Sequence, residues 1–322
     1  MEFRHLRYFL AVADAGHMTR AAERLGIQQP PLSLQIKALE AELGVALFQR
    51  HPKGVALTDA GHQFEQEARR LVDEMAAMQG RMARVARGEL GVLNVGFTSS
   101  AAAHAFTPEA LRACRRAWPG ITLAIREDHA AGITEAVASG RLHCGLIRVP
   151  VSQPDHLSFE VLLREPVLVA LPVDHPLADP ASGSVGRRGP RALALTELRQ
   201  EDFILVRQPG APGLYANLLA LCEAQGFRPR IAAEVERMVT SLNLVAAGVG
   251  IAVVPASMNG LHPQAVVYRP LADGTPLDAP LTLVYRSADA SGPAAHFLKI
   301  LRDTARKGRK ASARTSRRRG GA

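Results

Sequence analysis

The sequence predicts an α/β protein with an N-terminal winged helix-turn-helix, a long linker helix and a two-lobed module of alternating strands and helices. Three observations carry that prediction. Residues 19–61 hold two short helix patterns joined by a glycine turn and followed by a basic hairpin-like segment. Residues 64–85 repeat apolar positions at alternating steps of four and three. From Val92 the pattern changes to strands alternating with helices, which implies parallel sheets covered by helices.

Caps, turns and one apolar stripe define the first part. Thr19 can cap a helix whose Ala21, Ala22 and Leu25 pack inward. Gly26 permits the sharp turn that follows. Pro30 and Pro31 suit a first helical turn, where the missing N–H groups have no intrahelical partner anyway. Leu32, Ile36, Leu39 and Leu43 make one stripe at helical period, leaving Gln28, Gln29, Ser33, Gln35 and Lys37 off it. Gln can bond an adenine edge in two places, and Ser and Lys suit phosphates or bases. Arg50 and Lys53 bracket a turn at Pro52 and Gly54, as a wing over a nucleic-acid backbone would require. A small helical domain with an ordinary solvated face shares the period; the order of the features points to double-stranded DNA.

The linker comes next. Apolar residues fall at Phe64, Ala68, Leu71, Met75, Met78, Met82 and Val85, an a/d seam sustained for three heptads with charged residues off it. A helix facing its own core has a similar period. A strict seam on a helix leading out of a helical domain argues for pairing with a second copy. Gly88 and Gly91 end it.

In the third part, strands are expected at 92–97, 122–127, 142–147, 157–163, 167–171, 203–206, 232–235, 251–254, 266–268 and 281–285. Helices are expected at 107–117, 132–139, 213–225, 238–247 and 292–307. The chain leaves one lobe near Arg164 and returns near Arg269, so two crossings hinge the lobes. In open parallel sheets, ligands sit beyond the carboxyl ends of strands, where helix N-termini offer free N–H groups. Thr98, Ser99 and Ser100 follow the first strand and fit a carboxylate. His129 and Ala130 follow the second, Arg148 the third, and Arg207 and Gln208 a later one. Helix capping is the plainer role for the hydroxyls, and a surface charge for Arg148.

Composition narrows the function. A chain of 322 residues, 47% hydrophobic and 21% charged, describes a soluble multidomain protein. The apolar run 244–254 is too short to span a bilayer, and no signal peptide is evident, so a cytoplasmic protein without membrane contact is expected. Cys114, Cys144 and Cys222 are odd in number and far apart, which fits buried thiols in a reducing compartment. No G-x-S-x-G, H-E-x-x-H, C-x-x-C or P-loop pattern occurs, so neither catalysis, metal nor cofactor is expected. Of the net charge of +9, residues 302–322 carry nine Lys/Arg and one Asp, or +8; residues 1–301 carry +1. That tail has no apolar period and is expected to be disordered, either a solvated end or a phosphate-binding arm.

Several runs stand in a known order. They are F-R-H-L-R-Y-F-L-A-V-A-D-A-G at 3–16, then A-A-E-R-L, Q-P-P-L-S-L-Q-I-K-A-L-E, E-L-G-V-A-L-F-Q-R and L-T-D-A-G. Further on come G-R-L-H-C-G-L, L-P-V-D-H-P-L-A and L-V-A-A-G-V-G-I-A-V-V-P. Over residues 1–300 the chain thereby resembles LysR-type transcriptional regulators. The resemblance implies a recognition helix in the major groove, with Gln29, Pro30 and Ser33 as base readers and Gln35, Arg50 and Lys53 as phosphate contacts. It implies dimerisation through the linker helix, a homodimer or homotetramer, and a periplasmic-binding-protein-like effector module with contacts at the loops named above. Ser99 and Ser100 are similar to the branch that senses carboxylates from aromatic catabolism, such as muconates. The chain departs from the pattern at Gln28, where the family has a Ser or Thr cap, and at Ala130, which lacks that branch's hydroxyl. It departs again at His143, where the family has Asp, in the Gly/Arg-rich segment 183–191, and in the tail. The expected domains are 1–58 for DNA, 59–88 for the linker and 89–301 for the effector, with 302–322 as tail. Within the effector domain one lobe takes 91–163 and 269–301, the other 164–268. A solute-binding protein or an enzyme on the same α/β module are the alternatives.

Overall fold

The computed structural model describes residues 1–150, 152–179, 192–206, 213–272, 276–287 and 291–319, with side chains described except at 213–214 and 310–319. The chain forms two compact units, Met1–Arg84 and Val85–Ala322.

In the first unit α1 (Phe3–Ala15), α2 (Met18–Leu25) and α3 (Gln29–Leu43) precede a hairpin of β1 (Phe48–His51) and β2 (Gly54–Leu57), and α4 (Asp59–Ala86) follows. The cap of α2 is His17, whose ring accepts from the Thr19 N–H; the expected cap, Thr19, is already inside the helix. Leu32, Ile36 and Leu39 are buried around Phe9, but Leu43, expected on the same stripe, is exposed at the helix end. Phe9 packs at 5.0 Å against Phe48 with the rings tilted by 42° and meets Phe64 edge-on at 4.8 Å, joining α1, the wing and the root of α4. Glu40 accepts the N–H groups of Leu47 (2.8 Å) and Phe48 (3.0 Å), so the end of α3 fixes the start of the wing. The L-T-D-A-G run has a steric reason: Thr58 accepts from the Gly61 N–H, and a Cβ on Gly61 would come within 2.1 Å of the Leu47 carbonyl oxygen.

The second unit opens with β3 (Gly91–Phe97), α5 (Ser99–Ala102), α6 (Phe106–Ala117), β4 (Ile121–Glu127), α7 (Ala130–Ala138) and β5 (Cys144–Ile147). There follow β6 (Leu157–Pro172), β7 (Asp202–Val206), α8 (Gly213–Ala224), β8 (Arg230–Val235), α9 (Met238–Ala246), β9 (Ala252–Pro255), β10 (Val266–Pro270), β11 (Asp278–Arg286) and α10 (Gly292–Arg319). Strands β4, β3 and β5 are parallel, as the alternation implies. The sheets as wholes are mixed, because β11 runs antiparallel to β5 and β6, and β6 antiparallel to β9 and β10. The separately expected strands 157–163 and 167–171 are one sixteen-residue strand, β6, passing from lobe to lobe. The return is not near Arg269. Val266, Leu277 and Ala279 belong to the core of the second lobe and Leu281 and Leu283 to the first, so the chain crosses back within β11, beside a register shift at Leu281/Thr282.

The tail also differs from expectation. Leu301 and Ala305 are buried where α10 packs against β3, β6 and α6, Arg302 reaches Glu160 at 2.8 Å, and the helix continues through Arg319. Residues 302–305 are thus part of the lobe, and Ala, Lys and Arg are good helix formers that extend it. The segment 183–191 lies outside the described residues.

Candidate nucleic-acid interface and effector cleft

The N-terminal end of α3 is an exposed polar surface. Gln28 is its cap residue and makes no side-chain cap bond, which leaves its amide outward. Gln29, Pro30 and Lys37 are exposed, as are Arg50 and Lys53 on the wing. Arg50 donates to the Ser33 hydroxyl at 3.3 Å, so the structure brings helix and wing residues together. At the wing tip His51 accepts from the Lys53 N–H at 3.2 Å. Gln35 is a correction. Its amide oxygen accepts from His5 at 2.8 Å inside the domain, and the other ring nitrogen of His5 accepts from the Glu2 N–H. That fixes the His5 proton on Nε2 and makes Gln35 a brace between α1 and α3. Leu34, 66% exposed on the same helix, was missed by reading the stripe alone. An apolar side chain there suits a thymine methyl.

Along α4 the seam divides. Ala68 is fully buried and Phe64 packs beside it, both in the core of the first unit and not on a partner-facing seam. Beyond them Leu71, Met78, Met82 and Val85 are exposed and Met75 is half-buried. Leu71, Met75 and Met78 line an open hollow of 560 Å³ with Met1, Phe3 and Leu6 of the α1 end.

In the second unit the residues after β3, β4 and β5 face the junction of the lobes, where α5 approaches α9. Thr98 caps α5, accepting from the Ala101 N–H at 3.3 Å; Ser99 is half-buried. Ser100 is buried, and its carbonyl takes a 2.6 Å bond from Arg148. His129 caps α7 by accepting from the Gly132 N–H, with Ala130 beside it. Burial alone would raise the Asp128 carboxyl; the His129 N–H and Arg126, each at 2.8 Å, outweigh it and hold the group below its ordinary value.

Arg148 does not have the role expected for it. It is 7% exposed, 2.6 Å from Glu165, itself 8% exposed, and it also donates to the Ser257 hydroxyl at 3.0 Å. Glu165 accepts from Ser257 through both N–H (2.6 Å) and hydroxyl (2.9 Å). The network ties β5 of one lobe, the crossing strand β6 and the turn after β9 of the other. Burial pulls the Arg148 pKa down against the support of Glu165, and burial likewise pulls down that of nearby His104. A committed internal ion pair is not a free cation for a ligand.

Another cation stands at the junction. Arg237, the residue before α9, donates to Glu127 at the end of β4 over 2.6 Å, and both are exposed. Sequence spacing missed this pair because 110 residues separate its members. Arg207 and Gln208 lie outside the described residues. His143 accepts from the Asn94 N–H at 2.9 Å, a structural role. Cys114, Cys144 and Cys222 are buried and in no disulfide, and burial raises Cys114 and takes Cys222 to about 11. Among the described residues no group of three His, Cys, Asp or Glu is placed to hold a metal, and no helix is long and apolar enough to cross a membrane.

Known proteins share this arrangement. Residues 3–62 match the bacterial regulatory helix-turn-helix protein, lysR family, and residues 86–306 the LysR substrate binding domain. The chain is 35% identical over 300 residues to the HTH-type transcriptional regulator AlsR of Bacillus subtilis, spanning 93% of this chain and 95% of that one. It is 35% identical over 309 residues to the HTH-type transcriptional regulator TfdS of Cupriavidus pinatubonensis, spanning 96% and 99%. The crystal structure of CbnR, a LysR family transcriptional regulator, superposes with a TM-score of 0.76 at 30% identity over 94% of this chain and 100% of that one. Full-length CbnR complexed with its target DNA gives the same TM-score and identity over 95% and 100%.

Proposed function

The chain belongs to the LysR family of transcriptional regulators, and from that membership we propose that it regulates a promoter as a homo-oligomer under the control of a small organic carboxylate. DNA binding through the helix-turn-helix and effector binding in the two-lobed module come with the family. Relatives named as transcriptional regulators also speak against an enzyme. The observation that supports the DNA contact is the exposed N-terminal face of α3 flanked by the wing, with Gln28, Gln29, Pro30, Ser33 and Lys37 on the helix and Arg50 and Lys53 beside it. The carboxylate reading is supported by Thr98, Ser99 and His129 at the lobe junction beside the exposed guanidinium of Arg237. Acids from aromatic catabolism are the class to try first, since Ser99 and Ser100 are similar to that branch. The oligomer is supported by the exposed apolar run from Leu71 to Val85.

Footprinting on the intergenic DNA upstream of its own gene, with and without a panel of organic acids, tests the reading. Gln29→Ala should cost about 1–3 kcal/mol on the specific site and relax base preference there. Arg50→Ala should weaken binding to every sequence and lower the salt slope by about one. An unchanged ratio of specific to nonspecific affinity in Gln29→Ala would remove the base-reading assignment.

A further inference from the structure

Helix α10 outruns the core that nucleates it. Leu301 and Ala305 are buried, Arg306, Lys307 and Arg309 are exposed, and the helix continues to Arg319. At 1.5 Å per residue that extension is about 21 Å long. Residues 306–319 contain eight Lys/Arg and no Asp or Glu, whereas residues 1–301 carry a net charge of +1. Two electrostatic effects act on such a helix. Cations near its C-terminal end are favoured by the helix dipole. Against this, Arg306, Lys310, Arg314 and Arg318 recur four apart, and like charges at that spacing repel. A polyanion relieves the repulsion and leaves the dipole term intact.

We propose that residues 306–319 form an arm that grips the phosphate backbone of double-stranded DNA and adds sequence-independent affinity to the helix-turn-helix. Its basic run complements the phosphates, and the DNA-binding unit on the same chain holds it at high local concentration near a duplex. A lipid surface is a poorer match, because a membrane-binding helix needs an apolar face and 306–319 has no apolar residue larger than alanine.

The test uses the full chain beside two variants. One ends at Arg309; the other is full-length with Lys310, Arg314, Arg317, Arg318 and Arg319 replaced by Gln. Each is titrated against the upstream DNA and an unrelated duplex of equal length between 50 and 300 mM salt. Both variants should lose about two to five units of salt slope, at roughly 0.9 per phosphate. Both should bind either duplex about tenfold or more weakly at low salt, with the ratio between duplexes unchanged. An unchanged slope in the glutamine variant overturns the arm, and so does a changed ratio, which would put these residues in base readout. Loss of binding to phosphatidylglycerol vesicles with the DNA slope intact assigns the segment to lipid and overturns it too. The unrelated duplex reports the arm even where no specific footprint forms, so failure of the promoter reading is distinguishable from failure of the arm.

Discussion

Burial decides what each charge at the lobe junction can do. Arg148 and Arg237 are both arginines near the carboxyl ends of strands, yet Arg148 is enclosed with Glu165 while Arg237 is exposed beside Glu127. A buried pair cannot give up one member cheaply: removing either leaves an uncompensated charge at about 3–5 kcal/mol, whereas an exposed pair contributes about 0–1. Half-buried His104 feels the charges of the enclosed pair. Burial, opposed by Glu165 and reinforced by Arg148, holds its pKa below the ordinary value near 6.5, while its Nδ1 accepts the Phe106 N–H at 3.0 Å. The unfolded chain therefore binds a proton at a pH where the folded one does not, so stability falls as pH drops through 6.5. In urea unfolding at pH 7.5, 6 and 5, His104→Asn, which keeps an acceptor for Phe106, should show a shallower decline than the wild type. Parallel curves would contradict this. In the sequence Arg148 could be read as the residue after a strand. Its partner could not, because Glu165 sits on another strand and spacing along the chain does not report it.

At the scale of elements, α4 shows why a periodic pattern identifies a helix better than its neighbours. The seam from Phe64 to Val85 was legible as a long helix, and Asp59–Ala86 is one helix. The same period serves two surfaces, a domain core at Phe64 and Ala68 and an open apolar run from Leu71 onward. Periodicity reports which side of a helix is apolar, not what covers it. The two roles give opposite mutants. Leu71→Asp or Met75→Asp should leave the first unit folded but abolish dimers in light scattering and weaken binding to paired half-sites, because an unpaired charge would enter the seam. Ala68→Asp should unfold the unit instead. Unchanged oligomers in the Leu71 and Met75 variants would end the pairing assignment. Strands were legible as segments, but not the length of β6 or the point at which β11 crosses back. Both lobes bury β6, so its apolar pattern carries no mark at the boundary, and the break at 164–166 in the expected strands came from Arg164, Glu165 and Pro166.

For the whole effector module, the question is what a ligand must change. Two strands, β6 and β11, carry the chain between lobes, and among the described residues two polar contacts close the junction: the enclosed Arg148–Glu165–Ser257 network and the exposed Glu127–Arg237 pair. A ligand shifts an equilibrium between lobe arrangements only as far as it binds one better than another. The exposed pair is the weaker, worth about 0–1 kcal/mol, so it is the contact a small acid can displace. A carboxylate that takes Arg237 must first displace the Glu127 carboxylate. Glu127→Gln should then tighten acid binding several-fold by removing that competitor, and Arg237→Gln should weaken it. Ser99→Ala should weaken it as well, through loss of a charge-assisted hydrogen bond. Basal DNA affinity should stay near the wild-type value in all three, since none lies in the DNA-binding unit. Titration calorimetry with an acid panel and the matching neutral amides reads these effects, and footprinting reads the response at the promoter. Weaker acid binding in Glu127→Gln would show that the carboxylate does not compete at Arg237, and equal binding of acids and amides would remove the anion from the effector altogether.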